Sequence, residues 1–109
     1  MNLYHTTDTD GISELNPTTD KMIQLLSSLD EPNVEEADHP DVSLVHDKSG
    51  WAISVFPSGI VTYENLDHED TVPRYMTGIS RNEALQLWLQ LSRGDIDALN
   101  SHLWMRDQA

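Results

Sequence analysis

Apolar positions change period along the chain, and each change marks an element. Met22, Ile23, Leu26 and Leu29 recur at helical spacing, which predicts a first helix of about three turns. Asn16-Pro17 reads as its start, because Asn can cap and Pro suits the first helical position. Asp30-Glu31-Pro32 reads as its stop. The preceding residues 1–15 are polar and read as a loose lead-in.

From Val42 the period shortens to two. Val42–His46 alternates and ends at the turn-like Asp47-Lys48-Ser49-Gly50. In Trp51–Phe56, Trp51, Ile53 and Val55 share one face. Pro57-Ser58-Gly59 then signals a turn before the β-branched and aromatic run Ile60–Glu64. Short links between three short strands predict an antiparallel meander.

The helical period returns after Ser80-Arg81-Asn82-Glu83, which matches a capping box. Ala84, Leu85, Leu87, Trp88, Leu89 and Leu91 carry this helix to Ser92-Arg93. Gly94 is placed to close it in the left-handed conformation. Asp95 reads as the cap of a short last helix ending near Leu103-Trp104. The order predicts an α+β fold: an N-terminal helix, a three-stranded antiparallel meander, a C-terminal helix and a short last helix, with helices on one sheet face. Trp88 and its leucines are expected to cover the Trp51/Ile53/Val55 face.

With 109 residues and 38% hydrophobic content, residues 1–109 fit one domain with a modest core and are too apolar to be disordered throughout. Cysteine is absent, which excludes disulfides and thiolate chemistry and fits a reducing compartment. The stretch Met1–Asp8 has neither a basic start nor an apolar run, and no segment approaches the ~20 apolar residues of a membrane span. Asn16-Pro17-Thr18 carries the proline that blocks glycosylation. The expectation is a cytoplasmic, soluble protein.

Charge changes the picture most. Nineteen acidic residues stand against six Lys and Arg, a formal net of −13. That field draws basic partners and repels phosphates and anionic lipid, so direct nucleic-acid and membrane binding are disfavoured. The acids gather in two connectors, 30–41 and 64–70, while the intervening elements are ordinary in charge. Connectors on a rigid scaffold are where binding residues concentrate.

No catalytic constellation accompanies this charge. His39-Pro40-Asp41, His46-Asp47 and His68-Glu69-Asp70 place histidines beside carboxylates, but without the spacing of a tetrahedral metal site. Asp8-Thr9-Asp10-Gly11 opens like a calcium loop, yet Glu14 falls too early and no helix precedes it. There is no Gly-x-Ser-x-Gly elbow, and Gly94-Asp95 presents a carboxylate where a phosphate would sit. The expectation is a non-enzymatic binding protein without cofactor or metal.

Two stretches carry a family resemblance. Gly50-Trp51-Ala52-Ile53-Ser54-Val55 with its Pro57-Ser58-Gly59 turn, and Ser80–Trp88 running into Gly94-Asp95, resemble small acidic bacterial immunity proteins that neutralise contact-dependent or type VI secretion toxins. The resemblance covers about half the chain and is one of general style. It implies a basic protein partner, a cognate toxin domain such as a nuclease with a basic cleft. On that reading Glu35, Glu36, Asp38 and Asp41 face the cleft, helped by Asp67, Glu69 and Asp70. Tyr63 and Tyr75 serve as aromatic anchors unless the core buries them. Two alternatives stand beside it. One is a DNA mimic that inhibits a DNA-binding protein of a host or of phage defence; the other is a small regulatory or structural subunit.

Overall fold

The computed structural model describes residues 3–31, 40–67, 73–102 and 104–106. It is an α+β fold in which one antiparallel sheet carries its helices on a single face. The strands are β1 Tyr4–Thr7, β2 Ser13–Leu15, β3 Val42–His46, β4 Trp51–Val55, β5 Val61–Asn65, β6 Arg74–Met76 and β7 Met105–Arg106, in the order β2-β1-β3-β4-β5-β6-β7. The helices are α1 Thr19–Ser27, continued by a 3₁₀ turn at Ser28–Asp30, then α2 Arg81–Ser92 and α3 Ile96–Asn100.

The three expected strands are present as β3, β4 and β5 and pair antiparallel in sequence order. They form the middle of the sheet rather than the whole of it. The segment expected as a loose lead-in is a hairpin, β1–β2, with β1 also paired to β3. Its loop explains the calcium-like signal. Asp8 Oδ1 accepts from the Asp10 and Ile12 amides, both at 2.9 Å, and Gly11 takes φ +81°. The Asp side chain replaces a backbone acceptor and organises a tight turn.

The first helix starts later than Asn16-Pro17. Asn16 sits at φ +47°, a left-handed conformation that Asn tolerates and that cannot begin a helix. Its Oδ1 accepts from the Tyr4 amide, while Thr18 caps α1 by accepting from the Lys21 amide at 3.2 Å. Met22, Leu25, Leu26 and Leu29 are buried, but Ile23, expected with them, is 44% exposed.

Alternation along the sheet sorts two faces. Val42, Leu44, Ile53, Val55, Val61 and Tyr63 point toward the helices and are fully buried. Trp88 of α2 is also fully buried and donates from Nε1 to the Ile53 carbonyl oxygen at 3.2 Å. The capping box forms as read: Ser80 Oγ accepts from the Glu83 amide and Glu83 Oε1 from the Ser80 amide. Gly94, at φ +72°, closes α2 in a Schellman motif. Its amide donates to Leu91 and the Asp95 amide to Gln90, satisfying carbonyls the helix leaves open.

Asp95 precedes α3 but makes no side-chain cap, and α3 ends at Asn100, short of the expected Leu103-Trp104. The chain then turns, and β7 joins the sheet beside β6.

Candidate partner-binding surface

Strand direction gives the sheet two ends. The β3–β4 turn, with Gly50, lies at one; the β4–β5 turn, with Gly59, lies at the other. Because β3 and β5 run parallel to each other, the entry to β3 and the exit from β5 are at opposite ends. Asp41, just before β3, therefore stands at the Gly59 end, and Asp67, just after β5, at the Gly50 end. Five-residue strands separate them by at least about 17 Å. Of the acids expected to face one cleft, Asp41 and Asp67 thus stand at opposite ends of the sheet. Glu35, Glu36, Asp38, Glu69 and Asp70 lie outside the described residues.

Asp67 is exposed and its backbone is fixed by a polar chain across the Gly50 end. His46 Nδ1 and Ser49 Oγ are 2.7 Å apart, Asn65 Nδ2 donates to the Ser49 carbonyl at 3.1 Å, and Asn65 Oδ1 accepts from the Asp67 amide at 2.9 Å. His46 is 4% exposed. Burial pushes its pKa below 6.5, with Asp47 opposing and Lys48 adding to the shift.

Tyr63 is not a surface anchor: it is 0% exposed. Its ring stacks between Trp51 and Trp104, with centroid distances of 4.3 and 4.9 Å. Its hydroxyl donates to Asn100 Oδ1 at 3.2 Å, and Arg74 Nη1 donates to the same oxygen at 3.1 Å. The Arg74 guanidinium lies 5.6 Å from the Trp51 ring centroid and 5.8 Å from that of Tyr63, within cation–π range. Burial raises the Tyr63 pKa to about 12, against a smaller lowering by Arg74. Tyr75, the other predicted anchor, is half-buried on the sheet face away from the helices, in register with Thr62 and Met105.

The ends differ in charge. At the Gly59 end stand Asp8 and Asp10 in the β1–β2 loop, Asp30 and Glu31 at the close of the 3₁₀ turn, Asp41 before β3 and Glu83 in the first turn of α2. Among the described residues, Arg81 is the single basic side chain there. It is tied down by Asp30 at 3.0 Å and by the Phe56 and Pro57 carbonyls at 3.4 and 3.0 Å. Lys48, in the β3–β4 turn, stands at the Gly50 end, whereas Arg74 pairs with Tyr63 at the middle of the sheet. Lys21 in the first turn of α1 and Arg93 at the close of α2 lie toward the Gly50 end too, because α1 runs away from that end and α2 runs toward it. Of the acids that form this negative end, Asp41 is the one expected from the sequence to face a partner. Asp30 and Glu31 belong to the same 30–41 connector, while Asp8 and Asp10 come from the β1–β2 loop and Glu83 from α2, and only the convergence of these segments makes a patch.

Among the described residues no group of three His, Asp or Glu side chains is placed to hold a metal ion, and no helix is long and apolar enough to cross a membrane. Comparison with protein-family models, curated proteins and solved structures returns no match.

Proposed function

We propose that this chain is an immunity protein, a stoichiometric inhibitor that docks the negative Gly59 end into the basic cleft of a cognate bacterial toxin domain. The observation that carries the reading is the segregation of charge. Asp8, Asp10, Asp30, Glu31, Asp41 and Glu83 converge with one neutralised arginine, while Lys21, Lys48 and Arg93 lie toward the opposite end. Such a patch speeds encounter with a cationic surface, and desolvated contacts then set the residence time. A nuclease cleft shaped for phosphates meets the same sign of charge in these carboxylates. A DNA mimic would instead need rows of carboxylates along one extended face; of the two register rows on the open sheet face, one is Ser13, Thr7, Ser43, Ser54, Thr62 and Tyr75, and the other includes a single carboxylate, Glu64.

The test is capture from a lysate of the source cell at low salt, followed by inhibition of the recovered domain by purified protein. Recovery of one basic toxin domain, silenced at equimolar protein, supports the reading. Binding should be lost in the combined variant Asp10→Asn, Glu31→Gln, Asp41→Asn and kept in Asp95→Asn, Asp97→Asn. Capture of a DNA-binding complex would promote the mimic, and an empty capture would reduce the charge to a solubility feature.

A further inference from the structure

A hollow of about 310 Å³ opens at the Gly59 end, between the 3₁₀ turn, the β4–β5 turn and the link from β6 into α2. Asp30, Ser58, Gly59, Gly78 and Arg81 are among the residues that line it. Gly59 at φ +89° and Gly78 at φ +66° leave part of its wall as bare backbone, and a Cβ at Gly78 would meet no atom within 4 Å. One side of the hollow already holds a guanidinium. Arg81 donates from Nε and Nη2 to Asp30 Oδ1 at 3.2 and 3.0 Å, from Nη1 to the Phe56 carbonyl at 3.4 Å, and from Nη2 to the Pro57 carbonyl at 3.0 Å. A carboxylate and two backbone carbonyls thus converge on one planar cation. Both Asp30 contacts go to Oδ1, so Oδ2 takes no hydrogen bond among the described residues, and the Asp30 side chain is 63% exposed. Arg81 cancels one charge here, while Glu31, next in the chain, and Glu83, in the same helical turn as Arg81, keep the surroundings negative.

We propose that this hollow is the socket for one arginine side chain of the partner, whose guanidinium donates to the open Asp30 Oδ2 beside Arg81. The inference rests on the reading that the Gly59 end meets a basic partner, and it names the contact that anchors it. The acceptors fit a guanidinium because its planar fork bonds a carboxylate oxygen and backbone carbonyls together, as Arg81 does here, and because it is more weakly hydrated than an ammonium. Other occupants fit less well. Pro57 and Ile79 are the only apolar side chains lining the hollow among the described residues, so an aliphatic anchor gains little there. A phosphate would meet Asp30, Glu31 and Glu83, all of its own sign. A divalent cation needs several oxygen ligands, and Arg81 already holds one of the two on Asp30. On this view Arg81 both sets the geometry of Asp30 and competes with the incoming arginine for it.

Titration of the isotope-labelled protein with N-acetyl-arginine amide, followed by amide chemical shifts, tests the socket without the partner. The Ser58, Gly59, Gly78 and Ile79 amides should shift and saturate, and N-acetyl-citrulline amide, which has the same shape without the charge, should leave them in place. Asp30→Asn should weaken the probe about three- to tenfold. Arg81→Gln should strengthen it, because Oδ1 and the two carbonyls are then free. Ser58→Arg, which brings a cation of the chain's own to the hollow, should block the probe, and Ser58→Gln should not. The spectrum of each variant reports its fold in the same experiment. Shifts that are absent, that citrulline reproduces, or that persist at full affinity in Asp30→Asn overturn the proposal. The socket and the toxin reading fail separately. Saturable arginine binding with no toxin domain captured supports the socket and removes the toxin reading. A captured domain that binds Asp30→Asn as tightly as the unchanged protein leaves that reading standing and overturns the socket.

Discussion

The Trp88 indole N–H donates to the carbonyl oxygen of Ile53 at 3.2 Å, with both residues 0% exposed. This contact joins the longest helix to the central strand and fixes how α2 lies along the sheet. The indole also fills the space between the two layers, so its loss removes volume and a partner together. Trp88→Ala is expected to cost about 3–5 kcal/mol, and Trp88→Phe about 1–3 kcal/mol. Urea denaturation followed by far-ultraviolet circular dichroism checks both, and equal costs would show that the hydrogen bond is immaterial.

Tyr63 should ionise well above the ordinary tyrosine range. Its pKa is raised to about 12 by burial, above an ordinary value of 10.0. Between pH 10 and 12 the unfolded chain releases this proton and the folded one keeps it, so stability falls as pH rises through that window. A phenolate absorbance titration of the protein should show a step near pH 12 that is lost in Tyr63→Phe. Removing the opposing charge with Arg74→Met should move that step higher still.

His46 gives the opposite slope at the acidic side. Its pKa lies below 6.5 in the fold because burial disfavours the imidazolium. As pH falls below 6.5 the unfolded state takes up the proton first, so stability declines on acidification down to the folded-state pKa. His46→Gln should flatten the pH dependence of the denaturation midpoint in this range. An unchanged slope would assign the effect to other groups.

The ends of α2 should contribute separately. Ser80→Ala removes the hydroxyl that accepts from the Glu83 amide at 3.1 Å and is expected to cost about 1 kcal/mol. Gly94→Ala forces a Cβ onto a residue at φ +72°, at a cost of about 1 kcal/mol. The double variant should show the sum in thermal or urea unfolding, because the sites are a helix length apart and share no partner.

Much of this fold is legible in the sequence where local chemistry is decisive. The two-residue period of Val42–Val55, the Ser80–Glu83 box and Gly94 each encode their own geometry, and the structure carries all three. Residues 1–15 give no such signal because β1 and β2 are short, polar strands. Their pairing depends on β3, more than thirty residues away, and not on an apolar pattern of their own. The late start of α1 has a similar cause: Asn16 is claimed by Tyr4 across the hairpin, which leaves Thr18 to cap. Tyr63 could be read as an aromatic anchor until Trp51 and Trp104 closed over it. Trp104 reaches that position only because α3 ends at Asn100 and the chain turns back.

The sequence by itself determined the charge, the absence of thiol chemistry and the alternation that makes one face of the central strands a core, since each is a property of residue type and spacing. Only the tertiary structure decided that Asp41 and Asp67 stand at opposite ends and that Asp8, Asp10, Asp30, Glu31 and Glu83 gather with Asp41. The physical reason is that strand direction and register convert distances along the chain into ends and faces, and those relations are set by pairing between segments remote in sequence.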